Sequence, residues 1–423
     1  MNSIDEFLES KENGVFYVGH ASILIRINSK IILCDPAGYE DPYLHSWFYF
    51  PDQIKDKRFF SVDYVYVSHV HKDHYDVEFL KNMSKNTKLL IMEKRESFER
   101  ELNKENIPYQ VLPAEQDIEL EPGLKVRGFI NEINNVDSSA IFFNDEFAVY
   151  QGNDHWVDIG KLEDFSKNQK INIACVPFAY IAWFPYCSAN LTAAEIASKS
   201  EELICQAMDY AIETIDRVNP DVMIPFGSNL VHFTDAYSML NLSVKAPMEF
   251  FEYASLAGKS QSVEPLHAGD YVKYTENEGI EVSKSKINIQ EYRSQMNNHI
   301  KNSIKPIREI RKLYPSISKN QFLEIVKKRV SFFPNTNQII RIESFDGQKK
   351  LEINLPDKEI RIVKEFSSTI GPGIHHYRLD EVASLAYFSG KIIFDDIVGT
   401  RRFTLDRSPD IYCRKTFFWS LEL

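Results

Sequence analysis

Three of the chain's 11 histidines fall within six residues, His69-Val-His71-Lys-Asp73-His74, directly after the β-rich run DYVYVS at 63–68. Residues two apart at the end of a strand face the same side, so His69 and His71 can grip one metal ion. The chain then turns, which lets Asp73 and His74 face a second position. Imidazole and carboxylate donors together suit Zn, Fe or Mn. A lone histidine is more often structural than a ligand, but three with an aspartate at HxHxDH spacing point to a metal centre. Asp73 is then either a ligand or the group that takes a proton from a metal-activated water.

The surrounding pattern supplies elements to position such a motif. Val15–Val18, Ser22–Ile27 and Lys30–Leu33 are short and β-rich, with Asn28-Ser29 as a hairpin turn between the last two. Strands are expected at 63–68, 88–92, 109–112, 124–129, 139–143, 147–150 and 171–177, with helices at 76–83 and 97–103. Thr192 and Glu195 form a capping box that opens a helix running to Val218, before Pro220. A strand at 222–225 leads into a loop carrying His232, and 270–282 reads as a strand pair. Residues 285–330 are helical and locally basic, which reads as a solvated surface. From Gln338 the alternation returns in QIIRIES, KKLEINL and KEIRIVK. The expected division is 1–284 as an α/β catalytic domain, 285–335 as a helical connection and 336–423 as a smaller α+β domain.

HxHxDH, preceded by DYVYVS and by YVGHASILIRINSKIILCDP, resembles the metallo-β-lactamase superfamily. That resemblance implies an αββα sandwich with one or two metal ions at the sheet edge. The segment AVYQGNDHW resembles the strand that delivers a bridging aspartate, which falls on Asp154. His155 faces differently from its neighbour and is placed with the substrate candidates. The stretches Asp35-Pro36 to Phe48, SHVHKDH, FPYCSAN and NPDVMIPFGSNL, with GKIIFDDIVGTRRFTLDRSPDIY near the end, are similar to the catalytic part of the CMP-N-acetylneuraminate hydroxylase group. This implies iron in the same fold and a Rieske cluster as electron source.

The chain departs from these patterns in three places. A Rieske centre needs paired Cys and His motifs, which this sequence lacks, so oxygenase chemistry would need a separate electron-transfer protein. No histidine lies between His74 and His155, so Glu132 or Asp137 is the candidate third-motif ligand, and added carboxylate favours iron over zinc. Pro225 is followed by Phe226, so His232 is the nearest substitute for the last ligand. The metal set is therefore His69, His71, Asp73, His74, Asp154 and His232, with Asp73 and Asp154 as the catalytic candidates. His20, Trp47, His155, Tyr186 and Asn229 are the substrate-binding candidates, the last through the loop that follows Phe226. Trp156 and Trp183 are weighed as pocket or core, Arg401-Arg402 as an anion clamp or solvated pair. His375 and His376, adjacent on one strand, are expected to face opposite ways. Three functions fit: an iron-dependent oxygenase acting on a polar small molecule, slightly favoured; a zinc hydrolase of an ester, amide or phosphoester with one or two ions; and a degenerate binding module.

Composition bounds the rest. The 423 residues carry 49 Lys+Arg against 61 Asp+Glu, a net charge of −12, which excludes a protein that coats nucleic acid. It leaves room for an anionic substrate in a local basic pocket. Apolar residues at 43% fit a globular chain of two or three domains. Five cysteines with no CxxC pair, a polar N-terminus and no apolar run of about 18 residues predict a reduced, cytoplasmic protein without a membrane span.

Overall fold

Val15 and Tyr17 point one way from the first long strand and Phe16 and Val18 the other, and all four are buried. A strand buried on both faces reads as a continuous apolar run and must lie inside a layered fold. The computed structural model of the chain shows those layers. It describes residues 3–39, 43–44, 46–93, 96–131, 136–232, 240–241, 244–275, 277, 279–285, 288–303, 306–331, 336–367 and 373–408. Glu132 and the end of the expected C-terminal run lie outside these residues.

The elements up to residue 177 are α1 (Ser3–Glu9), β1 (Asn13–Gly19), β2 (Ser22–Ile27), β3 (Lys30–Cys34), β4 (Trp47–Tyr49), β5 (Tyr64–Tyr66), α2 (Val77–Lys81), β6 (Lys88–Met92), α3 (Glu96–Lys104), β7 (Gln110–Leu112), β8 (Asp117–Glu121), β9 (Leu124–Ile130), β10 (Ser138–Phe143), β11 (Ala148–Gln151), α4 (Ile159–Ser166) and β12 (Ile173–Pro177). There follow α5 (Ala193–Val218), β13 (Val222–Phe226), β14 (Leu230–His232), α6 (Pro247–Leu256), β15 (Tyr271–Thr275), β16 (Gly279–Ser283), α7 (Ile289–Ser303), α8 (Ile307–Leu313) and α9 (Lys319–Val330). The chain ends its described part with β17 (Gln338–Glu343), β18 (Lys350–Asn354), β19 (Glu359–Val363), β20 (Gly373–Leu379), α10 (Glu381–Phe388), α11 (Phe394–Thr400) and β21 (Phe403–Ser408).

An eight-stranded sheet of order β16-β15-β1-β2-β3-β5-β6-β7 faces a six-stranded sheet of order β13-β12-β11-β10-β9-β8. Val15, Tyr17, Ile25, Tyr66 and Leu90 from the first meet Val126, Phe142, Val149, Ile173 and Ile224 from the second in one apolar layer. Outside the first sheet, Phe7 of α1, Phe79 of α2 and Phe98 of α3 cover Phe16, Leu33 and Val65. Outside the second, Leu162 of α4, Ile215 of α5 and Phe250 of α6 cover Ile141, Tyr150 and Ala174. The result is an αββα sandwich. The capping box of α5 is present, with the Thr192 hydroxyl accepting from the Glu195 amide and the Glu195 carboxylate accepting from the Thr192 amide.

A five-stranded sheet, β19-β18-β17-β20-β21, follows the sandwich. One of its faces packs Ile340, Ile342 and Tyr377 against Ile310 of α8, Phe322 of α9, Tyr387 of α10 and Ile397 of α11. Its other face carries a charged row in register across five strands: Arg361, Glu352, Arg341, His376 and Asp406. Trp183 and Cys187 belong to the packed face, so Trp183 is core, not pocket wall. His375 and His376 do face opposite ways; His376 meets Glu343 at 3.0 Å and His375 is buried. The basic helical stretch is divided between two cores. Tyr292 of α7 packs with Phe50 and Val231, whereas α8 and α9 join the C-terminal sheet.

Two short strands differ from the expected pattern. The loop expected to carry His232 is strand β14, which pairs antiparallel with β4 so that Trp47 opposes His232. Three-residue strands carry too little alternation to be legible, and their partner is remote in sequence. Among the described residues no helix is long and apolar enough to cross a membrane.

Candidate metal centre

The parallel strands β3, β5, β11, β12 and β13 end at one edge of the sandwich, and the loops that leave them bring the chemistry together. Open α/β sheets bind ligands outside the carboxyl ends of their strands. Here Asp35 follows β3, His69 to His74 follow β5, Asp154 follows β11, and His20 occupies the turn between β1 and β2. His20, Asp35 and Asn153 adopt positive φ (50°, 47° and 54°). Left-handed backbone costs a non-glycine residue roughly 1–2 kcal/mol, and such residues concentrate at sites where geometry is imposed by function.

Three sets of donors lie close enough to share an ion. They are His69, His71 and Asp137; His20, Asp73 and His74; and His69, His74 and Asp154, with the donor atoms of each set within 4.8 Å of one another. His69 Nε2 and His71 Nδ1 face each other at 2.8 Å, and Asp137 Oδ1 is 3.9 Å from the same His69 nitrogen. His74 Nε2 lies 3.4 Å from Asp154 Oδ2 and 3.6 Å from Asp73 Oδ2. His20 Nε2 is 3.3 Å from Asp73 Oδ2. The two halves of HxHxDH thus face two adjacent positions, with His69, His74 and Asp154 between them. Lys72, at a variable position of the motif, turns away and lies over the Tyr75 ring at 5.0 Å.

Behind the donors lies a network that selects their tautomers. Asp35, fully buried, accepts from the Ser68 amide at 2.8 Å, the Ser68 hydroxyl at 2.9 Å and Gln151 Nε2 at 3.2 Å. His74 Nδ1 is 3.1 Å from the same carboxylate, and His69 Nδ1 is 2.8 Å from the Ser68 oxygen. Because the Ser68 hydroxyl is spent on Asp35, its oxygen accepts from His69 Nδ1–H. Both rings therefore hold a proton on Nδ1 and present Nε2 toward the centre, the nitrogen on which a metal would take a proton's place. Burial pushes the Asp35 carboxyl above its ordinary value, and the bonds from His74 and Ser68 pull it back.

The electrostatics fit a cation site. Burial would raise the Asp73 carboxyl, but the imidazoles of His74, His20 and His71 outweigh it and hold it well below the usual carboxylate range. Asp154, with its side chain partly exposed, is also held below its ordinary value, chiefly by His74. Burial would lower His74, yet Asp154, Asp73 and Asp35 raise it well above the ordinary imidazole value. Buried charges persist only when paired or metal-bound. Imidazole and carboxylate donors so close together are the donor set a divalent transition metal takes.

The remaining candidates are distributed around this centre. Trp47 lies 5.8 Å from the His20 ring, with Tyr49 at 5.5 Å. Asn229 accepts from the Tyr17 hydroxyl at 2.9 Å beneath His20, and its amide nitrogen is buried without a partner among the described residues, as are Ser228 Oγ and Tyr49 OH. Gly227, beside them, has φ +81° and donates its amide to the His20 carbonyl at 3.2 Å, a conformation that favours glycine. His232 is buried and stands 6.4 Å from the Trp47 ring, outside all three donor sets; burial, with Arg401 and Arg402 nearby, lowers it to about 3. His155 bonds Ser139 Oγ at 2.9 Å. Tyr186 lines a separate cavity of about 550 Å³ between α5 and α6. Trp156 is exposed and stacks on Tyr210. Arg402 is buried against Asp380 and Arg401 is half-buried, so neither belongs to a solvated surface.

Ser68, Gln151 and Tyr43 join the site with no local sequence signal, and the Tyr43 hydroxyl donates to Asp73 Oδ1 at 2.7 Å. A serine inside a strand-end motif and a tyrosine in an aromatic run carry no local signal of such a role. Asp35 was visible only as part of Asp35-Pro36.

Residues 14–227 match the family described as "Beta-lactamase superfamily domain". Over 67 residues the chain is 51% identical to a protein of Mycolicibacterium smegmatis and 48% identical to one of Mycobacterium tuberculosis, each named as a Rieske 2Fe-2S iron-sulfur protein. These matches take in 15% of this chain and only 12% and 13% of those proteins, so the chain spans about an eighth of their length. Among solved structures it is similar to Igni18, a metallo hydrolase from the archaeon Ignicoccus hospitalis (TM-score 0.43, 16% identity, 62% of this chain and 98% of that one). It is also similar to CmlA, a diiron β-hydroxylase from Streptomyces venezuelae (TM-score 0.42, 13% identity, 65% and 55%). These structural likenesses concern the fold alone.

Proposed function

Because the chain belongs to the β-lactamase superfamily and is a metalloenzyme of that fold, we propose that it holds two metal ions, iron in preference to zinc. We further propose that it hydroxylates a polar small molecule with electrons from a separate protein. The observation that carries this reading is Asp137. With His69 and His71 it completes a donor set in which a carboxylate stands in place of a third imidazole. Harder oxygen donors suit iron and redox chemistry better than they suit zinc. Iron there would supply dioxygen activation.

The chain's own residues would do the rest. His69, His71 and Asp137 would form one position and Asp73, His74 and His20 the other, with Asp154 between them. Ser68 and Asp35 keep the imidazole tautomers fixed. Trp47, Tyr49, Ser228 and Asn229 would wall the substrate, and the polar atoms of Tyr49, Ser228 and Asn229 that lack a partner among the described residues favour a polar ligand. The proteins named as Rieske iron–sulfur proteins, similar to this chain over a 67-residue match, suggest the chemical class of the donor, an iron–sulfur protein. The buried thiols Cys34, Cys175 and Cys187 are free, which suits a reducing, cytoplasmic location.

A zinc hydrolase is the second reading, favoured by Asp73. Its carboxyl stays ionised beside three imidazoles and could take a proton from an attacking water. Metal analysis of the full chain purified without added metal separates the two. Iron at about two per chain, with dioxygen uptake on addition of a reduced iron–sulfur protein, is expected; two zinc ions and no iron would sink the oxygenase reading.

A further inference from the structure

Tyr43 and Gly399 are far apart in sequence and in contact in space. The Tyr43 ring lies against the α11 backbone so closely that a methyl on Gly399 would sit 2.6 Å from Tyr43 Cζ and nearer still to Cε1 and Cδ1. The Gly399 carbonyl accepts from Trp47 Nε1 at 3.2 Å, and Trp47 packs on Tyr43 with ring centroids 5.2 Å apart. Gly399 is therefore the floor on which both aromatics rest. From there the Tyr43 hydroxyl reaches Asp73 Oδ1 at 2.7 Å, leaving Oδ2 to face His20 and His74. The same helix brings Asp396 into the field of Lys72, inside the HxHxDH segment. Further contacts keep α11 in place. Arg401 donates to the Ile181 carbonyl at 2.9 Å, and the Leu405 and Ala189 amides donate across to the Cys187 and Leu405 carbonyls at 2.6 and 2.8 Å.

We propose that Tyr43 is a positioning residue for Asp73, and that α11 of the C-terminal unit, through Gly399, sets the position of Tyr43. The inference rests on the metal-centre reading above. A carboxylate with two equivalent oxygens can rotate about its bond to Cβ. Spending one oxygen on a fixed phenol aims the other at the second metal position, as outer partners do for ligands generally. The C-terminal sheet then contributes to the centre without supplying a ligand.

Cobalt(II) titration of the metal-stripped full chain, followed by its visible absorption, tests this. Wild type is expected to take up two ions. Tyr43→Phe keeps the ring on Gly399 and removes only the hydroxyl. It should leave the first uptake unchanged and weaken the second about 10- to 100-fold. Gly399→Ala should displace the ring and weaken the same second uptake, and adding Tyr43→Phe to it should cost little more. Unchanged uptake of both ions by Tyr43→Phe would overturn the proposal, and if Gly399→Ala does not fold, Tyr43→Phe alone decides. Equal weakening of both uptakes in Gly399→Ala would reduce that residue's part to general packing and overturn its assigned role. Wild-type protein that takes up no cobalt would sink the metal-centre reading, and this inference with it.

Discussion

Asp35 faces no open space, yet it controls which nitrogens do. It receives the Ser68 hydroxyl and stands within hydrogen-bond distance of His74 Nδ1, while Ser68 in turn meets His69. Removing the Ser68 hydroxyl frees the His69 ring to adopt the other tautomer and to rotate. Ser68→Ala is expected to lower metal affinity about 10- to 100-fold while the protein still folds, read by competition with a chelating dye. Undiminished affinity would mean that His69 is fixed by other contacts. At this scale the sequence was readable where chemistry is local. HxHxDH needs only a strand end and a turn, and Asp154 lies in its own short strand-end segment. Ser68, Gln151 and Tyr43 act through partners brought close by folding, such as the Asp35–Gln151 bond across 116 residues, and spacing cannot reveal those.

Strand orientation decides which side chains reach the centre. In β14, Leu230 and His232 point to the Trp47 side while Val231 points to Phe50 and Tyr292. His232 thus sits behind Trp47, and its neutral ring is held by burial. His232→Gln is expected to retain the wild-type metal content, whereas His71→Ala should lose metal; elemental analysis of both checks this. Loss of an ion in His232→Gln would return His232 to the ligand set. The expected architecture of sheets layered by helices was legible because long strands announce themselves, β1 as a continuous apolar run and β9 by alternation along most of its length. The β4–β14 pair was not, because three residues form less than two periods of a strand and the partners, residues 47–49 and 230–232, are remote in sequence.

For the molecule as a whole, stability depends on groups that the centre does not use. His375 of β20 is buried opposite Arg407, and burial, with that arginine, lowers its pKa to about 4 from 6.5. The folded protein therefore binds fewer protons than the unfolded chain between those values. Stability is full above pH 6.5 and is lost as pH falls toward 4. Between pH 8 and pH 5 this amounts to about 2 kcal/mol. His375→Leu removes the titration, so urea unfolding should show wild type losing about that much more than the variant over the same interval. Equal losses would show that the ring is protonated in the folded state. The charged row on the outer face, with Arg341 and Glu352 at 2.9 Å, is a neighbouring constraint that the variant leaves untouched.

One carboxylate, Asp35, orients the imidazole that serves one proposed position and the imidazole that serves the other. The two proposed positions therefore stand on one buried anchor: Ser68 links Asp35 to His69 and Asp35 itself reaches His74, so a change that loosens Asp35 is felt at both positions at once.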